Sequence, residues 1–351
     1  MVAVDPAVPD ADVIARAAGL LRAGGLVAFP TETVYGLGAN ALDRLALERI
    51  YEAKRRPATD PIIAHIADIA QLDMLTDGAP ALAYTLAEAF WPGPLTIVLR
   101  RADAVPETLA RGMTTVAIRM PSHPVAQALI REAGVPVGAP SANRFTRPSG
   151  TTAADVLEDL DGVVDMVLDG GAAPLGLEST IVDLTADIPV VLRPGSIAID
   201  ALRAVDKRII ARERYLAEHV ASNAPGQMLR HYSPRAEVLL FSGGNAAQLW
   251  GAMAERALSL LACGGRPGFL LPSEQVLDFE AFGPVVDLGP ECDPAAAGRA
   301  LFAGLRRLDR QGADAVLVVD PGHDGLAAAL RDRLLRAAEG RVVLVGAAGG
   351  P

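Results

Sequence analysis

Residues 29–38 read FPTETVYGLG, and this stretch decides how the first half of the chain is interpreted. The residues just before it, 26–28, are apolar and lack helical spacing, so they predict a buried strand. The motif then supplies hydroxyl groups, a carboxylate and two glycines. It is either a polar turn with glycines for tight geometry, or a strand end that presents hydroxyls and bare backbone to a ligand.

Length and composition limit the choices. A chain of 351 residues favours two domains of ordinary size. The net charge of −10 argues against a protein that coats nucleic acid non-specifically, although a local basic pocket is compatible with it. No stretch reaches the roughly 18 uninterrupted apolar residues of a membrane-spanning helix, and the acidic, proline-containing N-terminus does not resemble a secretion signal. We therefore expect a cytoplasmic protein with no membrane partner.

The two cysteines, Cys263 and Cys292, have no CxxC pattern or histidine cluster near them. Their isolation argues against a disulfide framework and against a zinc site. We expect both to be small buried hydrophobic groups, and the sequence offers no dense carboxylate cluster as a metal site.

The first domain, predicted for residues 1–205, mixes strands and helices without strict alternation. This pattern predicts a mixed sheet with helices packed on it. The predicted strands are 26–29, 62–66, 95–99, 116–120, 135–139, 166–168, 180–183 and 190–193, and the predicted helices are 11–24, 42–54, 80–90, 124–133 and 152–160.

The composition changes near residue 200, where charges crowd together and a Ser, Asn, Pro and Gly segment follows. We predict a linker over residues 206–235. Beyond it, residues 236–351 alternate apolar strand runs with helical patterns, which is typical of a small, mostly parallel α/β domain. The GGN at 243–245 follows the first of these strands, but alone it is weak evidence for nucleotide binding.

Four cationic residues near the ends of apolar runs are candidates for binding anions: Lys54, Arg56, Arg119 and Arg193. Taken singly, each could be a solvated surface charge. If several converge on one cleft, they suit a substrate with two or three phosphates, because the planar arginine fork binds phosphate oxygens in pairs.

Serines and threonines follow strands in APSAN (139–143), RPSG (147–150) and LESTIVD (177–183). Such residues are either caps and turn formers or hydrogen-bond partners of a ligand. The chain has no GxSxG elbow and no serine, histidine and acid arrangement, so an acyl-enzyme hydrolase is disfavoured. A Walker sequence is also missing, which disfavours a P-loop kinase or ATPase.

Taken in order, the segments resemble the YrdC-like family of L-threonylcarbamoyladenylate synthases, in the long form with an additional C-terminal domain. The resemblance covers nearly all of residues 25–235. The matching pieces are FPTETVYGLG, KRRPATDPIIAHI (54–66), WPGPLT (91–96), TTVAIRMP (114–121), APSANRFTRPSG (139–150), GLESTIVD (176–183), LRPG (192–195) and PGQMLRHYSP (225–234).

The resemblance implies a YrdC-like twisted mixed sheet with helices and a concave substrate cleft, followed by a smaller Rossmann-like α/β domain. It also implies a nucleotidyltransferase that makes L-threonylcarbamoyladenylate from L-threonine, bicarbonate and ATP, releases pyrophosphate and uses Mg²⁺ with ATP. The product would pass to a tRNA threonylcarbamoyl transferase. No protein nucleophile is required, since charge neutralisation and alignment carry this chemistry.

The resemblance also implies roles for individual residues. Asp60 departs from the asparagine of many relatives, and its carboxylate would repel phosphate unless magnesium intervenes. Glu32 receives no role, whereas Tyr35 would shape the pocket, and Gly36 and Gly38 would let the backbone pass close to substrate. The implied catalytic group is Lys54, Arg56, Ser141 and Asn143; the threonine group is Thr33, His65, Arg119 and Ser179; the nucleotide group is Arg56, Asp60, Thr115, Ser141, Asn143, Ser149, Arg193 and Tyr232.

Two other functions use the same fold. One is a module that binds double-stranded RNA or tRNA, which the net charge disfavours. The other is the carbamoyl-transfer domain of hydrogenase-maturation proteins, whose CxxC repeats and acylphosphatase segment are missing here. The sequence leaves open the oligomeric state, direct tRNA binding and the ligand of the C-terminal domain.

Overall fold

The chain forms two compact units, which are described separately. The computed structural model describes residues 1–57, 59–211 and 231–346, so most of the predicted linker lies outside the described residues. Within those residues, the first unit comprises 1–145 and 149–211, and the second comprises 146–148 and 231–346. No helix in these ranges is both long and apolar enough to cross a membrane.

The first unit contains eight helices and eleven strands among its described residues. The helices are α1 (Ala11–Arg22), α2 (Arg44–Lys54), α3 (Ala70–Leu75), α4 (Ala81–Phe90), α5 (Glu107–Ala110), α6 (Pro124–Ala133), α7 (Ala153–Leu160) and α8 (Ile199–Val205). The strands are β1 (Val2–Ala3), β2 (Val27–Phe29), β3 (Gly36–Asn40), β4 (Ala64–His65), β5 (Leu95–Arg100), β6 (Thr115–Arg119), β7 (Val137–Gly138), β8 (Met166–Asp169), β9 (Thr180–Asp183), β10 (Val190–Arg193) and β11 (Ile210–Ala211).

These strands form one sheet in the order β1-β8-β2-β3-β7-β4-β6-β5-β9-β10-β11. The sheet contains parallel pairs, such as β4 with β6, and antiparallel pairs, such as β5 with β6. The prediction of a mixed sheet with helices packed on it is confirmed. Several predicted strands were too long; the chain at 62–66, for example, pairs only over Ala64–His65.

Both faces of the central strands are buried. Along β2, Ala28 contributes to one apolar cluster, whereas Val27 and Phe29 contribute to the cluster on the opposite face. Successive side chains of a strand point to opposite faces. A strand covered on both faces therefore shows a continuous apolar run rather than an alternating one, as seen in the sequence before FPTETVYGLG.

Helix α2 ends at a position that matters for the site. It begins after Asp43, whose carboxylate accepts hydrogen bonds from the amides of Leu45 and Ala46, so the observed start is two residues later than predicted. Arg55 then adopts a left-handed conformation with φ of 53° and ends the helix. As a result, Lys54 is buried while Arg55 is exposed.

The second unit is a parallel α/β domain. Its five strands pair in the order β14-β13-β15-β12-β16, and every pair is parallel. The elements are β12 (Glu237–Ser242), α9 (Ala246–Ala262), β13 (Pro267–Leu271), a 3₁₀ turn (Ser273–Gln275), α10 (Val276–Phe279), β14 (Val285–Asp287), α11 (Pro294–Arg310), β15 (Ala315–Val319), α12 (Gly325–Ala337) and β16 (Val342–Leu344). The predicted smaller C-terminal α/β domain is confirmed.

Helices cover both faces of this parallel sheet. Met253 of α9 packs with Leu239 and Phe269 on one face. On the other face, Gly304 of α11 lies so close to the sheet that a Cβ there would be 2.8 Å from Leu270. The connections run in opposite directions along the sheet, from β12 to β14 one way and from β14 to β16 the other, and crossovers of the usual right hand then place helices on both faces.

The cysteine prediction was wrong. Cys263 and Cys292 are both exposed free thiols. Cys263 is the C-cap of α9, and Cys292 lies in the turn just before α11. Helix ends and turns usually face solvent, so a prediction of burial from the residue type alone failed at these two positions.

Candidate functional site

The motif FPTETVYGLG is a buried loop between two antiparallel strands of the first unit. Thr31 is 2% exposed, Glu32 is 6% exposed and Thr33 is fully buried. The hydroxyl of Thr31 donates to the Val34 carbonyl at 2.6 Å and lies 2.8 Å from the Thr33 hydroxyl. An ordinary polar turn is solvated, so this burial of polar groups favours the ligand-facing interpretation.

The loop pairs with the serine-rich segment 139–150. The Leu37 amide donates to the Pro140 carbonyl at 2.9 Å, and the Ala142 amide donates to the Tyr35 carbonyl at 2.7 Å. Gly36 and Ser141 form an isolated antiparallel bridge. The fold thereby brings two motifs, about a hundred residues apart in sequence, side by side.

The glycines of the motif serve packing within the protein. A Cβ on Gly38 would be 2.8 Å from the ring of Phe29 and 2.9 Å from Val137. A Cβ on Gly36 would be 3.3 Å from the same ring. The side of each glycine on which a Cβ would lie is occupied by the Phe29 ring, so close packing within the protein requires both glycines, and a close approach of their backbone to substrate stays a prediction. Tyr35 is also buried, and its hydroxyl donates to the Gly171 carbonyl at 2.7 Å.

Lys54 lies at the serine-rich loop. Its Nζ donates to the carbonyl oxygens of Ser141 and Asn143, and the side chain is 1% exposed. The Phe145 amide in turn donates to the Lys54 carbonyl at 2.9 Å. Three residues of the implied catalytic group are therefore in contact, and Lys54 holds the loop in addition to placing a positive charge there.

Arg56 forms a buried ion pair with Asp60. The guanidinium lies 2.8 Å from the Asp60 carboxylate, with side-chain exposures of 3% and 0%. Arg56 also donates to the carbonyls of Asp60 and Pro61. The carboxylate thus lies beside a residue implied to bind phosphate, so it opposes the attraction of an anion to that position.

Tyr51 and Arg111 flank this pair and were missed by the sequence analysis. The Tyr51 hydroxyl donates to the Asp60 carbonyl at 3.1 Å, and the Arg111 guanidinium carbon is 3.3 Å from the Tyr51 ring centroid. Burial raises the pKa of Tyr51, so the phenol is neutral. Arg111 lies just after α5 and belongs to no recognisable sequence motif. Only its contact with the Tyr51 ring associates it with the Arg56–Asp60 pair.

Arg119 is paired with Glu32, the residue to which the sequence assigned no role. Glu32 Oε1 lies 2.7 Å from the Arg119 guanidinium, and Glu32 Oε2 accepts a hydrogen bond from the Ser122 amide at 3.1 Å. Both side chains are buried. A buried carboxylate that orients an arginine fixes the direction in which that arginine can meet a second anion.

His65 lies beside Arg119 in the adjacent strand, because the register of β4 and β6 pairs the two residues. Burial, and secondarily the charge of Arg119, lowers the pKa of His65 from 6.5 to about 3. Its Nδ1 lies 3.2 Å from the Ile63 carbonyl oxygen. The imidazole is therefore neutral and can act as a hydrogen-bonding group but not as a cation at neutral pH.

Ser179 and Arg193 form a second buried contact. Arg193 donates to the Ser179 carbonyl at 2.9 Å and to its hydroxyl at 3.1 Å. The Ser179 hydroxyl also lies 2.7 Å from the hydroxyl of Thr96, a buried residue that the sequence analysis did not select. Close by in the chain, Glu178 accepts a hydrogen bond from Ser149 at 2.6 Å.

Thr115 and Tyr232 complete the implied nucleotide group. Thr115 is at the start of β6 and Arg119 at its end, and Thr115 is in register with Arg100 of β5. Tyr232 belongs to the second unit, where its ring is 5.1 Å from Phe302. Their nucleotide contacts stay predictions.

A metal site in the protein would need several His, Cys, Asp or Glu side chains close together. Across residues 1–57, 59–211 and 231–346, no three His, Cys, Asp or Glu side chains lie close enough together to hold an ion. Asp60 is the carboxylate beside the implied phosphate cations, and it is ion-paired with Arg56. The described side chains do not form a magnesium site by themselves.

Two family models match the chain. The Sua5, YciO and YrdC model, described as "Telomere recombination", matches residues 19–195. The model described as "Threonylcarbamoyl-AMP synthase, C-terminal domain" matches residues 197–339. Together the two models match most residues of both units.

Individual proteins are similar over almost the whole chain. Threonylcarbamoyl-AMP synthases of Pyrococcus abyssi and Bacillus subtilis are each 41% identical, covering 94% of this chain and 95% and 94% of their own lengths. A crystal structure of P. abyssi Sua5 complexed with L-threonine superposes with a TM-score of 0.91 at 38% identity, covering 98% of this chain and all of that one. The chain therefore belongs to the threonylcarbamoyl-AMP synthase family, in the long form that carries a C-terminal domain.

Proposed function

We propose that this chain synthesises L-threonylcarbamoyl-AMP from L-threonine, bicarbonate and ATP, and releases pyrophosphate. The observation that carries the proposal is the contact of Lys54 with the Ser141 and Asn143 carbonyls. This contact brings together three of the four residues of the implied catalytic group, in a chain whose relatives bear that enzyme name over 94–95% of their length.

The reaction requires charge neutralisation rather than a protein nucleophile. The amine of threonine forms a carbamate, either by adding to carbon dioxide with release of a proton or by reacting with bicarbonate with loss of water. A carbamate oxygen then attacks the α-phosphorus of ATP, the bond to the β-phosphate oxygen breaks, and pyrophosphate leaves with the electron pair. Two anions meet in this step, so fixed cations and aligned reactants supply most of the acceleration.

We assign Lys54 and Arg56 to the phosphates. Both are buried, where a charge acts through a lower dielectric than at the surface. Lys54 is anchored by two carbonyl oxygens and Arg56 by the Asp60 carboxylate, so neither cation has to reorganise before ATP binds. A cation that is already held in position stabilises the transition state more than the cation of a mobile surface lysine does.

We assign Arg119 to the carboxylate of threonine, with His65, Thr33 and Ser179 around the amino acid. The Glu32 carboxylate holds the Arg119 guanidinium and leaves the planar fork oriented. Neutral His65 and the hydroxyls of Thr33 and Ser179 offer hydrogen bonds without adding charge. This combination suits a small zwitterion better than a polyanion.

The nucleotide assignments of Thr115, Ser149, Arg193 and Tyr232 rest on the family resemblance alone. A divalent metal that arrives with ATP would neutralise phosphate charge, and Mg²⁺ is the ion that we expect. The described protein residues bind, orient and neutralise the substrates in every step given above.

The product is a mixed anhydride of a carbamate and AMP, which water can hydrolyse. A reaction that transfers the threonylcarbamoyl group must therefore consume it promptly, and we assign this step to a tRNA threonylcarbamoyl transferase. Binding of tRNA by this chain itself is not part of the proposal.

Pyrophosphate release from ATP tests the function, with threonine and bicarbonate supplied together, singly or not at all. Release that requires both, with formation of a threonine-containing adenylate detected by mass spectrometry, is the expected result. Release that ignores both substrates would refute the synthase. If the same preparation bound double-stranded RNA tightly, the RNA-binding alternative would replace it.

A further inference from the structure

The second unit contains a cavity of about 160 Å³ at the carboxyl edge of its parallel sheet. We infer that this cavity binds a small planar heteroaromatic molecule of the nucleobase type, uncharged or weakly basic. All the lining residues belong to the second unit, so the inference does not depend on the function proposed for the first.

The cavity lies where the sheet changes winding direction. From β13 the chain continues to β14 on one side, whereas from its neighbour β15 it continues toward β16 on the other side. The connections after two adjacent strands therefore diverge and leave a crevice between them, where open α/β sheets place their ligands. Leu270 and Pro272 from the end of β13, and Val319 and Asp320 from the end of β15, line this crevice.

The walls are mostly apolar. Three large apolar side chains line the cavity and are only half-buried: Trp250 of α9, Leu288 after β14 and Val319. The Trp250 ring also packs edge-on against Phe279, with 6.0 Å between centroids. Half-buried aromatic and branched side chains around a concave space gain free energy when a flat apolar surface covers them.

The polar groups at this edge are already hydrogen-bonded to one another. The Asp320 carboxylate accepts from the Ser242 hydroxyl at 2.9 Å, from Arg331 Nε at 3.0 Å and from the Gly322 amide at 3.0 Å. These bonds tie the loop after β15 to β12 and α12. The cavity is therefore preformed, and its rim offers few vacant partners to a sugar or another polyhydroxyl ligand.

Charge and loop geometry disfavour an anionic ligand. Among the described residues that line the cavity there are two carboxylates, Asp320 and Glu291, and no lysine, arginine or histidine, although Arg331 pairs with Asp320 from outside the lining. The GGN loop is not among the described residues that line this cavity, and Gly243 packs so closely within the chain that a Cβ there would be 2.8 Å from the Val345 carbonyl oxygen. The weak nucleotide signal of this loop reflects close packing within the chain. Because Asp320 is already paired with Arg331, the carboxylate that faces a ligand is that of Glu291, which can accept a hydrogen bond from a ring N–H group but repels a phosphate.

The volume sets the size of the ligand. An apolar cavity of about 150 Å³ accepts a single benzene ring, and sites for larger metabolites usually exceed about 300 Å³. At about 160 Å³, this cavity suits one ring system without an attached sugar phosphate.

Fluorine NMR of the full-length chain with 5-fluorotryptophan tests the inference. The chain has two tryptophans, Trp91 in the first unit and Trp250 in the second, and Trp250→Phe assigns the signals. With adenine as the probe, we expect a saturable shift of the Trp250 signal with Kd of about 1 mM or tighter. AMP at the same concentrations should shift this signal at least tenfold less effectively.

Matched substitutions on α12 locate the binding. Ala327 lines the cavity, whereas its equally half-buried neighbour Ala328 does not. Ala327→Leu should abolish the Trp250 shift and Ala328→Leu should preserve it. Circular dichroism checks folding, and the smaller Ala297→Val substitution replaces Ala327→Leu if that variant does not fold.

Three results would overturn the inference. The first is no saturable Trp250 shift up to the solubility limit of adenine. The second is a shift that persists when the cavity is filled. The third is AMP binding as tightly as adenine, which would contradict the exclusion of anions. A shift confined to Trp91 counts with the first result.

Discussion

Glu32 and Arg119 form a buried ion pair with 2.7 Å between the carboxylate oxygen and the guanidinium nitrogen. Glu32 lies in the loop that joins β2 and β3, whereas Arg119 ends β6, so the pair connects the opening motif to the middle of the sheet. The pair fixes the orientation of the Arg119 guanidinium, which is what the proposed binding of the threonine carboxylate requires.

Replacing Glu32 with Gln should weaken threonine binding, because the amide keeps the shape but removes the charge that orients Arg119. We expect KM for threonine to rise about tenfold and kcat to change less than threefold. This is the pattern when an interaction that is equally strong in the bound substrate and in the transition state is lost. Steady-state pyrophosphate release measures both constants. Glu48→Gln, at an exposed pair with Arg44, is the control. A fall in kcat at unchanged KM would contradict a positioning role.

Replacing Arg56 with Ala should cost about 2–4 kcal/mol of transition-state stabilisation, since it removes a preorganised charge from the phosphates. The neighbouring Arg55→Ala, at an exposed position, should be nearly neutral. Single-turnover kinetics compare the two. Near-normal turnover in Arg56→Ala would show that the phosphate assignment is misplaced.

Asp60→Asn should lower KM for ATP severalfold. The substitution removes a negative charge 2.8 Å from Arg56 while retaining the shape of the side chain. The expected gain comes from reduced repulsion of the phosphates. Initial rates measured at varied ATP concentrations, and at two ionic strengths, test the expected change in KM. A rise in KM would mean that losing the anchor of Arg56 outweighs the reduced repulsion, or that the carboxylate takes part in metal binding.

Lys54→Met should lower kcat at least about 100-fold, because it removes a cation and also releases the carbonyls of Ser141 and Asn143. The exposed Lys207→Met has no such contacts and should retain full activity. Hydrogen exchange of the Asn143 and Phe145 amides should increase in Lys54→Met alone. Unaltered exchange would show that the lysine does not support this loop.

Burial of His65 should make the protein less stable in mild acid. The pKa of His65 is lowered from 6.5 to about 3, so between these values the unfolded chain binds a proton that the folded chain does not. Stability is fully present above pH 6.5 and falls as the pH drops. Between pH 7 and 5 the loss should be about 2 kcal/mol.

His65→Gln removes this contribution and should flatten the pH dependence, whereas substitution of the exposed His323 should leave it unchanged. Urea unfolding at each pH measures the difference. Burial also lowers the pKa of His123, so a smaller slope should persist in His65→Gln. An unchanged slope would contradict the burial of His65 as a neutral group.

Local sequence was sufficient to predict the mixed sheet of the first unit and the alternating pattern of the second. Apolar runs and helical spacing report secondary structure directly, because side-chain burial repeats with the geometry of each element. It also singled out Lys54 and Arg119, since a cation near an apolar run is visible without any tertiary contact. Boundaries were less accurate: Asp43 as a cap shortened α2, and strand pairing shortened β4.

The partners of these cations could be known only from the tertiary structure. Lys54 meets carbonyls almost ninety residues away, Glu32 meets Arg119 across three strands, and Arg111 lies over Tyr51. No pattern within a short window encodes such pairs. They form because sheet order brings distant strand ends together, and because buried charge is stable only where the fold supplies an opposite charge or a hydrogen bond.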